Sequence, residues 1–186
     1  GDIHPDLNVL IQGETGTGKS HLARKLHDAS GVMGEFIQLN LIAYSKGTLE
    51  SELFGHIKGA FTGALSDKDG AFKAAREGTL FLDEIGTMPN IMQQKLLKAL
   101  DQKTFYPLGA NKAVKTEFTL ITATCEDLFD KIHMMDRFFR IKTQNGYVAL
   151  QERTINNMSQ SAEQRYLEFI GRSSRLAELG RGRYES

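Results

Sequence analysis

Eight consecutive residues carry the clearest chemistry in the chain: Gly13–Ser20 reads GETGTGKS and fills every position of the pattern G-x-x-x-x-G-K-[ST]. Glycines without a Cβ let successive backbone N–H groups turn toward an anion, and the helix that follows adds the positive end of its dipole. Gly13, Glu14, Thr15, Gly16, Thr17, Gly18, Lys19 and Ser20 are therefore expected to cradle nucleotide phosphates. In that arrangement the Lys19 ammonium bridges the β- and γ-phosphates and the Ser20 hydroxyl ligates Mg²⁺. A Gly-rich turn that merely joins strand to helix is the competing reading, and the filled pattern in the right local context weighs against it.

A phosphate cradle needs an acidic partner. Leu80–Glu84, LFLDE, ends an apolar strand in two carboxylates: Asp83 is expected to hold Mg²⁺ directly or through water, and Glu84 to polarise the attacking water as general base. Two acids at a strand end could also be a solvated cap, and the nearby P-loop shifts the weight toward chemistry. Asn40 terminates the preceding strand. Its amide could reach Glu84 and hold that carboxylate away from water, a switch on hydrolysis, or it could cap the next turn; spacing alone leaves both open.

The segment Leu49–Ala64, LESELFGHIKGAFTGA, joins a short helix, signalled by Glu50, Glu52 and Leu53, to a stretch of small residues with one aromatic, Phe61. A glycine-flanked phenylalanine suits a loop tip that offers an apolar anchor to a partner. By composition alone, a Phe buried in a Gly-rich turn is the commoner arrangement.

The elements that must position these residues alternate between strand and helix. Val9–Gln12 is a short apolar run ending in the Gly-rich turn, and Ser20–Ala29 places Leu22, Ala23 and Leu26 at helical spacing. Phe36–Asn40, Thr79–Asp83 and Glu117–Thr124 read as buried strands bounded by Gly, Asp or Asn. Pro89 opens a helix near Asn90–Asp101 whose apolar face is expected to hold Ile91, Met92, Leu96, Leu97 and Leu100. Such alternation predicts a parallel sheet covered by helices. Ser161–Ile170 fits a further helix, and Gly171–Ser186, rich in Arg, Gly and Ser, fits a disordered end.

Taken together, Gly13–Ser20, Glu50–Ala64 with GAFTGA at Gly59–Ala64, Gly78–Pro89 as GTLFLDEIGTMP, and Gln94–Leu108 resemble the central AAA+ domain of sigma-54-dependent transcriptional activators, the bacterial enhancer-binding proteins. The likeness runs from about Asn8 to Arg153. It implies an α/β P-loop NTPase of AAA+ type, a three-layer α/β/α sandwich around a parallel sheet, with residues 1–153 as the nucleotide-binding subdomain and 154–186 as a partial or atypical helical lid. It further implies ATP and Mg²⁺ as cofactors, ATP hydrolysis at inter-subunit sites of a ring, a hexamer in the family, and remodelling of the sigma-54 RNA polymerase closed complex. Gly59, Ala60, Phe61, Thr62, Gly63 and Ala64 become the contact to sigma-54, with Phe61 and Thr62 at the tip. Asn40 matches the family's glutamate-switch asparagine.

Three departures from the family pattern bear on these expectations. Ala123-Thr124 is followed by Cys125 where an Asn sensor is usual, which leaves Thr124 as the nearest polar substitute for γ-phosphate sensing. Cys125 itself, with no accompanying His or metal-ligand spacing, is expected to pack as a small hydrophobe. Asp136–Ile141, DRFFRI, resembles the second half of the arginine-finger segment; Arg140 matches the later arginine, Met134 sits where the earlier one belongs, and Arg137 is displaced by three residues. Either arginine could instead be a surface ion-pair partner. Leu150–Arg153, LQER, resembles the close of the large subdomain, and Arg183 is the weak match to a lid arginine. The chain reads as an excised central domain or a fragment, with DNA binding assigned to a domain outside it. Two other readings stay in play: a nucleotide-gated binding module with weak hydrolysis, and a different AAA+ remodelling ATPase.

Composition narrows the classes. Lysine plus arginine number 23, equal to aspartate plus glutamate at 23, so the formal net charge of zero supplies no electrostatic footprint for nucleic acid. Hydrophobic residues make up 40% of the chain, and no apolar run approaches the roughly 20 residues that span a bilayer. A single cysteine and an N-terminus without a basic and apolar leader pattern predict a cytoplasmic protein.

Overall fold

The structure is a computed structural model and describes residues 8–125. Among these residues six strands and four α-helices follow in chain order: β1 (Val9–Gln12), α1 (Lys19–Ser30), β2 (Phe36–Asn40), α2 (Lys46–Phe54), α3 (Ala71–Ala74), β3 (Thr79–Asp83), α4 (Asn90–Gln102), β4 (Thr104–Phe105), β5 (Val114–Lys115) and β6 (Thr119–Thr124). β1, β6, β3 and β2 lie side by side in that order and all pair in parallel. The register sets Gln12 against Thr124 and Asn40 against Asp83. Four strands therefore deliver their carboxyl ends to one edge, where ligands bind in open α/β sheets.

Strand alternation divides the core into two layers. Val9, Ile11, Phe81, Ile121 and Ala123 face Ala23 and Leu26 of α1. The intervening residues Leu10, Leu80, Leu82 and Leu120 face the opposite way, onto Leu49 and Leu53 of α2, Phe72 of α3 and Met92, Leu96 and Ala99 of α4. The resulting three-layer α/β/α arrangement agrees with the expected fold. Phe72 is fully buried and holds the second layer together, with ring centroids 4.7 Å from Phe54, 5.5 Å from Phe105 and 5.1 Å from Phe118.

Two backbone approaches leave no room for a side chain. A Cβ on Gly70 would lie 2.2 Å from the Gly55 nitrogen, and one on Gly78 would lie 2.2 Å from the Glu35 carbonyl. The first contact closes the base of the segment that leaves α2. The second joins the start of β3 to the start of β2, where the Thr79 N–H also donates to the Glu35 carbonyl at 2.9 Å.

Two sequence expectations need correction. Ile91 is 56% exposed; it lies about 100° around the helix from Met92, and the buried stripe runs through Met92, Gln93, Leu96 and Ala99. The last strand begins at Thr119 rather than Glu117. The antiparallel pair β4 and β5, absent from the sequence reading, carries the chain from α4 toward β6.

His27, in the last turn of α1, has Nδ1 2.8 Å from Oγ1 of Thr79 and its ring 5.4 Å from that of Phe36. Burial pushes its pKa below the usual 6.5, with Asp28 opposing and Arg24 assisting. Because the folded-state value is the lower one, the unfolded chain takes up the proton first, and stability falls as pH drops below 6.5. Urea midpoints should therefore fall more between about pH 7.5 and about pH 5.5 in the wild type than in His27→Gln. Parallel losses in both proteins would contradict this assignment.

Candidate nucleotide site

The loop between β1 and α1 takes its shape from a few short bonds. The Gly13 N–H donates to the Thr124 carbonyl at 3.2 Å, which fastens the start of the loop to the end of β6. The Glu14 carbonyl accepts from the Thr17 N–H at 3.3 Å and from its hydroxyl at 2.8 Å. Gly16 and Gly18 have φ of 87° and 84°, a left-handed conformation that side chains disfavour. Gly18 caps α1 without any side-chain hydrogen bond, so the N–H groups of the first helical turn remain available to an anion.

Lys19 opens α1 and is buried to 9% exposure. Its Nζ donates to the Gly13 carbonyl at 2.9 Å and to the Glu14 carbonyl at 3.1 Å. The same ammonium stands 4.0 Å from Oε1 of Glu84, bringing the basic loop and the acidic strand end into one site. Ser20, the next residue of α1, is partly exposed.

At the end of β3, Asp83 Oδ1 accepts from the Glu84 N–H at 3.1 Å. Glu84 has φ of 57°, a left-handed state unusual for a residue with a side chain. The Thr87 N–H and hydroxyl donate to its carbonyl at 3.0 and 2.8 Å and fix the turn. Glu84 is 9% exposed, and its Oε2 accepts from the Cys125 N–H at 3.2 Å. The carboxylate is thus held between an ammonium and a backbone amide.

Asn40 lies beside Asp83 in the sheet, and its Oδ1 accepts from the Ile42 N–H at 3.1 Å, capping a short 3-10 turn at Leu41–Ala43. Of the two arrangements open for this residue, the described one is the cap. Thr124 is fully buried at the end of β6. Cys125 is exposed, which corrects the expectation that it packs as a small hydrophobe: the strand ends at Thr124, and the next residue turns to Glu84. A hydrogen bond from the thiol to Glu84, with partial burial and the charge of that carboxylate, pushes the Cys125 thiol pKa up against the pull of Lys19. No sequence signal pointed to the Cys125 amide as a partner of Glu84. Arg137, Arg140, Met134, Arg183 and the 154–186 lid lie outside the described residues.

Gly59–Ala64 forms a tight tip. The Gly59 N–H donates to the Ala64 carbonyl at 2.9 Å and the Ala64 N–H to the Phe61 carbonyl at 3.0 Å, with Gly59 and Gly63 at φ of 82° and 100°. Ala64 is buried, whereas Phe61 is 45% exposed, between the two arrangements its composition and family resemblance suggested. The tip rests on the loop between β4 and β5, where a Cβ on Gly109 would come within 2.9 Å of the Ala60 Cβ.

Sheet order, glycine loop and acidic strand end together define a P-loop NTPase fold of the AAA+ type. A family model described as the sigma-54 interaction domain matches residues 3–146, and the chain belongs to that family. Similar curated proteins include the transcriptional regulator VasH of Vibrio cholerae serotype O1, 45% identical over 140 residues, or 73% of this chain and 26% of VasH. The transcriptional regulatory protein GlrR of Escherichia coli K12 is 41% identical over 177 residues, covering 89% of this chain and 40% of GlrR. Among solved structures, NtrX from Brucella abortus in complex with ADP matches at a TM-score of 0.67 and 30% identity, over 78% of this chain and 32% of NtrX. Its complex with ATP matches at a TM-score of 0.66 and 29% identity, over 78% of this chain and 33% of NtrX. The chain thus spans less than half the length of these relatives. Among the described residues, no helix is long and apolar enough to cross a membrane.

A nucleotide that binds only the folded chain at about 100 times its Kd should stabilise it by about 2.7 kcal/mol. Thermal unfolding is expected to shift upward with Mg-ATP in the wild type and to lose that shift in Lys19→Ala. An equal shift in both would remove Lys19 from the phosphate site.

Proposed function

We propose that this chain is the ATP-hydrolysing module with which a sigma-54-dependent activator remodels the RNA polymerase closed complex. The observation that carries the reading is the meeting of Lys19 and Glu84, 4.0 Å apart, beside a helix N-terminus left open to an anion. The nucleotide complexes of NtrX and the family's description support it.

Phosphate oxygens would draw the Lys19 ammonium off the Gly13 and Glu14 carbonyls, and the backbone N–H groups of Gly13–Ser20 would hold the remaining charge. Among the described residues no cluster of three or more His, Cys, Asp or Glu forms a metal cage. The hard oxygens of Ser20 and Asp83 suit Mg²⁺, which takes few protein ligands and relies on phosphates and water for the rest. Bound there, Mg²⁺ would neutralise charge on the β- and γ-phosphates. Glu84 accepts the proton of the attacking water as the water oxygen bonds to the γ-phosphorus and the bond to the β-phosphate oxygen breaks. Arg140 or Arg137 of a neighbouring subunit in a ring stabilises the charge that develops. By the family resemblance, Thr124 and Asn40 would read the γ-phosphate state, and Gly59–Ala64 would carry the response to sigma-54.

A nucleotide-gated binding module with weak hydrolysis is the second reading, favoured by the Cys125 contacts that hold Glu84. Glu84→Gln separates the two: retained Mg-ATP binding with phosphate release reduced by about 10²-fold or more supports the base assignment. Negligible turnover in the wild type would favour the binding module. Phe61→Ala is expected to keep ATP hydrolysis and to lose sigma-54-dependent open complexes, measured by permanganate reactivity of the melted promoter. Open complexes at the wild-type level would overturn the loop assignment.

A further inference from the structure

Phe61 is exposed but not free of contacts, and one ring meets it. The His56 and Phe61 rings meet in a T-shaped arrangement, with centroids 5.0 Å apart and an interplanar angle of 69°. This geometry sets the positive edge of one ring against the negative face of the other. His56 is itself held at several points. Its Nδ1 lies 2.7 Å from Oγ of Ser51, a buried residue of α2. Its N–H donates to the Lys68 carbonyl at 2.9 Å, and its carbonyl accepts from the Lys68 N–H at 2.8 Å. On the other side, the neighbouring Ile57 N–H donates to the Leu108 carbonyl at 3.1 Å and the Leu108 N–H to the Gly55 carbonyl at 3.0 Å. The imidazole therefore cannot follow the tip without giving up its bond to Ser51.

The tip is differently built. Phe61, Thr62 and Gly63 are all exposed, and the turn is closed by local bonds within Ile57–Leu65. A ring held by the domain body thus meets the side chain of a turn that is otherwise exposed.

We propose that His56, oriented by Ser51, is a positioning residue that parks Phe61 against the body of the domain when no partner is engaged. The parked state limits how much of Phe61 a protein partner can reach, and a partner that captures the ring must first break its contact with His56. The identity of that partner as sigma-54 rests on the functional reading above; the ring contact does not. An aromatic pair of this kind biases an equilibrium by up to about 10-fold, enough to favour the parked tip and little enough for a partner to overcome.

The test has two arms on the full chain. In the first, NMR of the His56 imidazole signals is recorded in the wild type and in Phe61→Leu and Ser51→Ala. Loss of a ring-current shift in Phe61→Leu, and a changed Nδ1 signal in Ser51→Ala, are the expected results. Unchanged His56 signals in Phe61→Leu would overturn the parking contact regardless of any partner. In the second arm, nucleotide-free binding to purified sigma-54 is measured for His56→Leu and Ser51→Ala, with Phe61→Ala as reference. An increase of up to about 10-fold for His56→Leu, with a smaller increase for Ser51→Ala, is expected. Binding that stays equal or falls in both, while still depending on Phe61, would overturn the proposal. Binding that ignores Phe61 would instead defeat the partner assignment and leave the first arm to decide the contact.

Discussion

A buried ammonium and a buried carboxylate, Lys19 and Glu84, face each other at 4.0 Å, and most of the site can be understood as what it takes to keep them there. Withdrawing two charges from water is costly unless their remaining hydrogen-bonding capacity is met. Here the Gly13 and Glu14 carbonyls meet it for Lys19, and the Cys125 amide does so for Glu84. The acceptors on the lysine side belong to the loop itself. The loop's resting shape is thus tied to the cation that a phosphate would attract.

The same constraint reaches into the sheet. Glu84 can approach Lys19 because β3 and β1 both flank β6, and because the chain after Asp83 turns through a left-handed φ at Glu84. The end of β6 then closes the arrangement from above: the Thr124 carbonyl receives the Gly13 amide, and the next amide reaches Glu84. At the other end of β6, the Glu117 carbonyl accepts from the Glu77 N–H at 2.7 Å, and the Thr116 hydroxyl donates to the Phe72 carbonyl at 2.8 Å. From there the β4–β5 pair leads to Leu108 and Gly109, on which the Gly59–Ala64 tip rests. A chain of hydrogen bonds and close approaches thus runs from the glycine-loop end of the sheet toward the exposed Phe61.

Much of this was legible in the sequence where the signal is local. Val9–Gln12, Phe36–Asn40 and Thr79–Asp83 appear with the expected bounds, because short apolar runs closed by Gly, Asp or Asn leave few alternatives. The glycine loop announced itself by residue type. Hydrophobicity near a helix start does not reveal which way the first turn faces, and here Ile91 points outward while Met92 and Gln93 are buried. The β4–β5 pair has two residues per strand, too few to show an alternation. The Gly55–Gly70 approach, the seat of Ala60 on Gly109 and the Cys125 amide on Glu84 join residues through the fold rather than through spacing. Sequence patterns carry no trace of such pairs. The expectation for Cys125 failed for a related reason: a cysteine is usually buried, but this one falls one residue past the strand that would have buried it.

Under the proposed function, hydrolysis rather than nucleotide occupancy powers the action on the transcription machinery. The most direct measurement is promoter melting by sigma-54 RNA polymerase, followed by permanganate reactivity, with the chain present and either Mg-ATP or a non-hydrolysable ATP analogue supplied. Melting with ATP and none with the analogue is the predicted result. Equal melting with both nucleotides would contradict it.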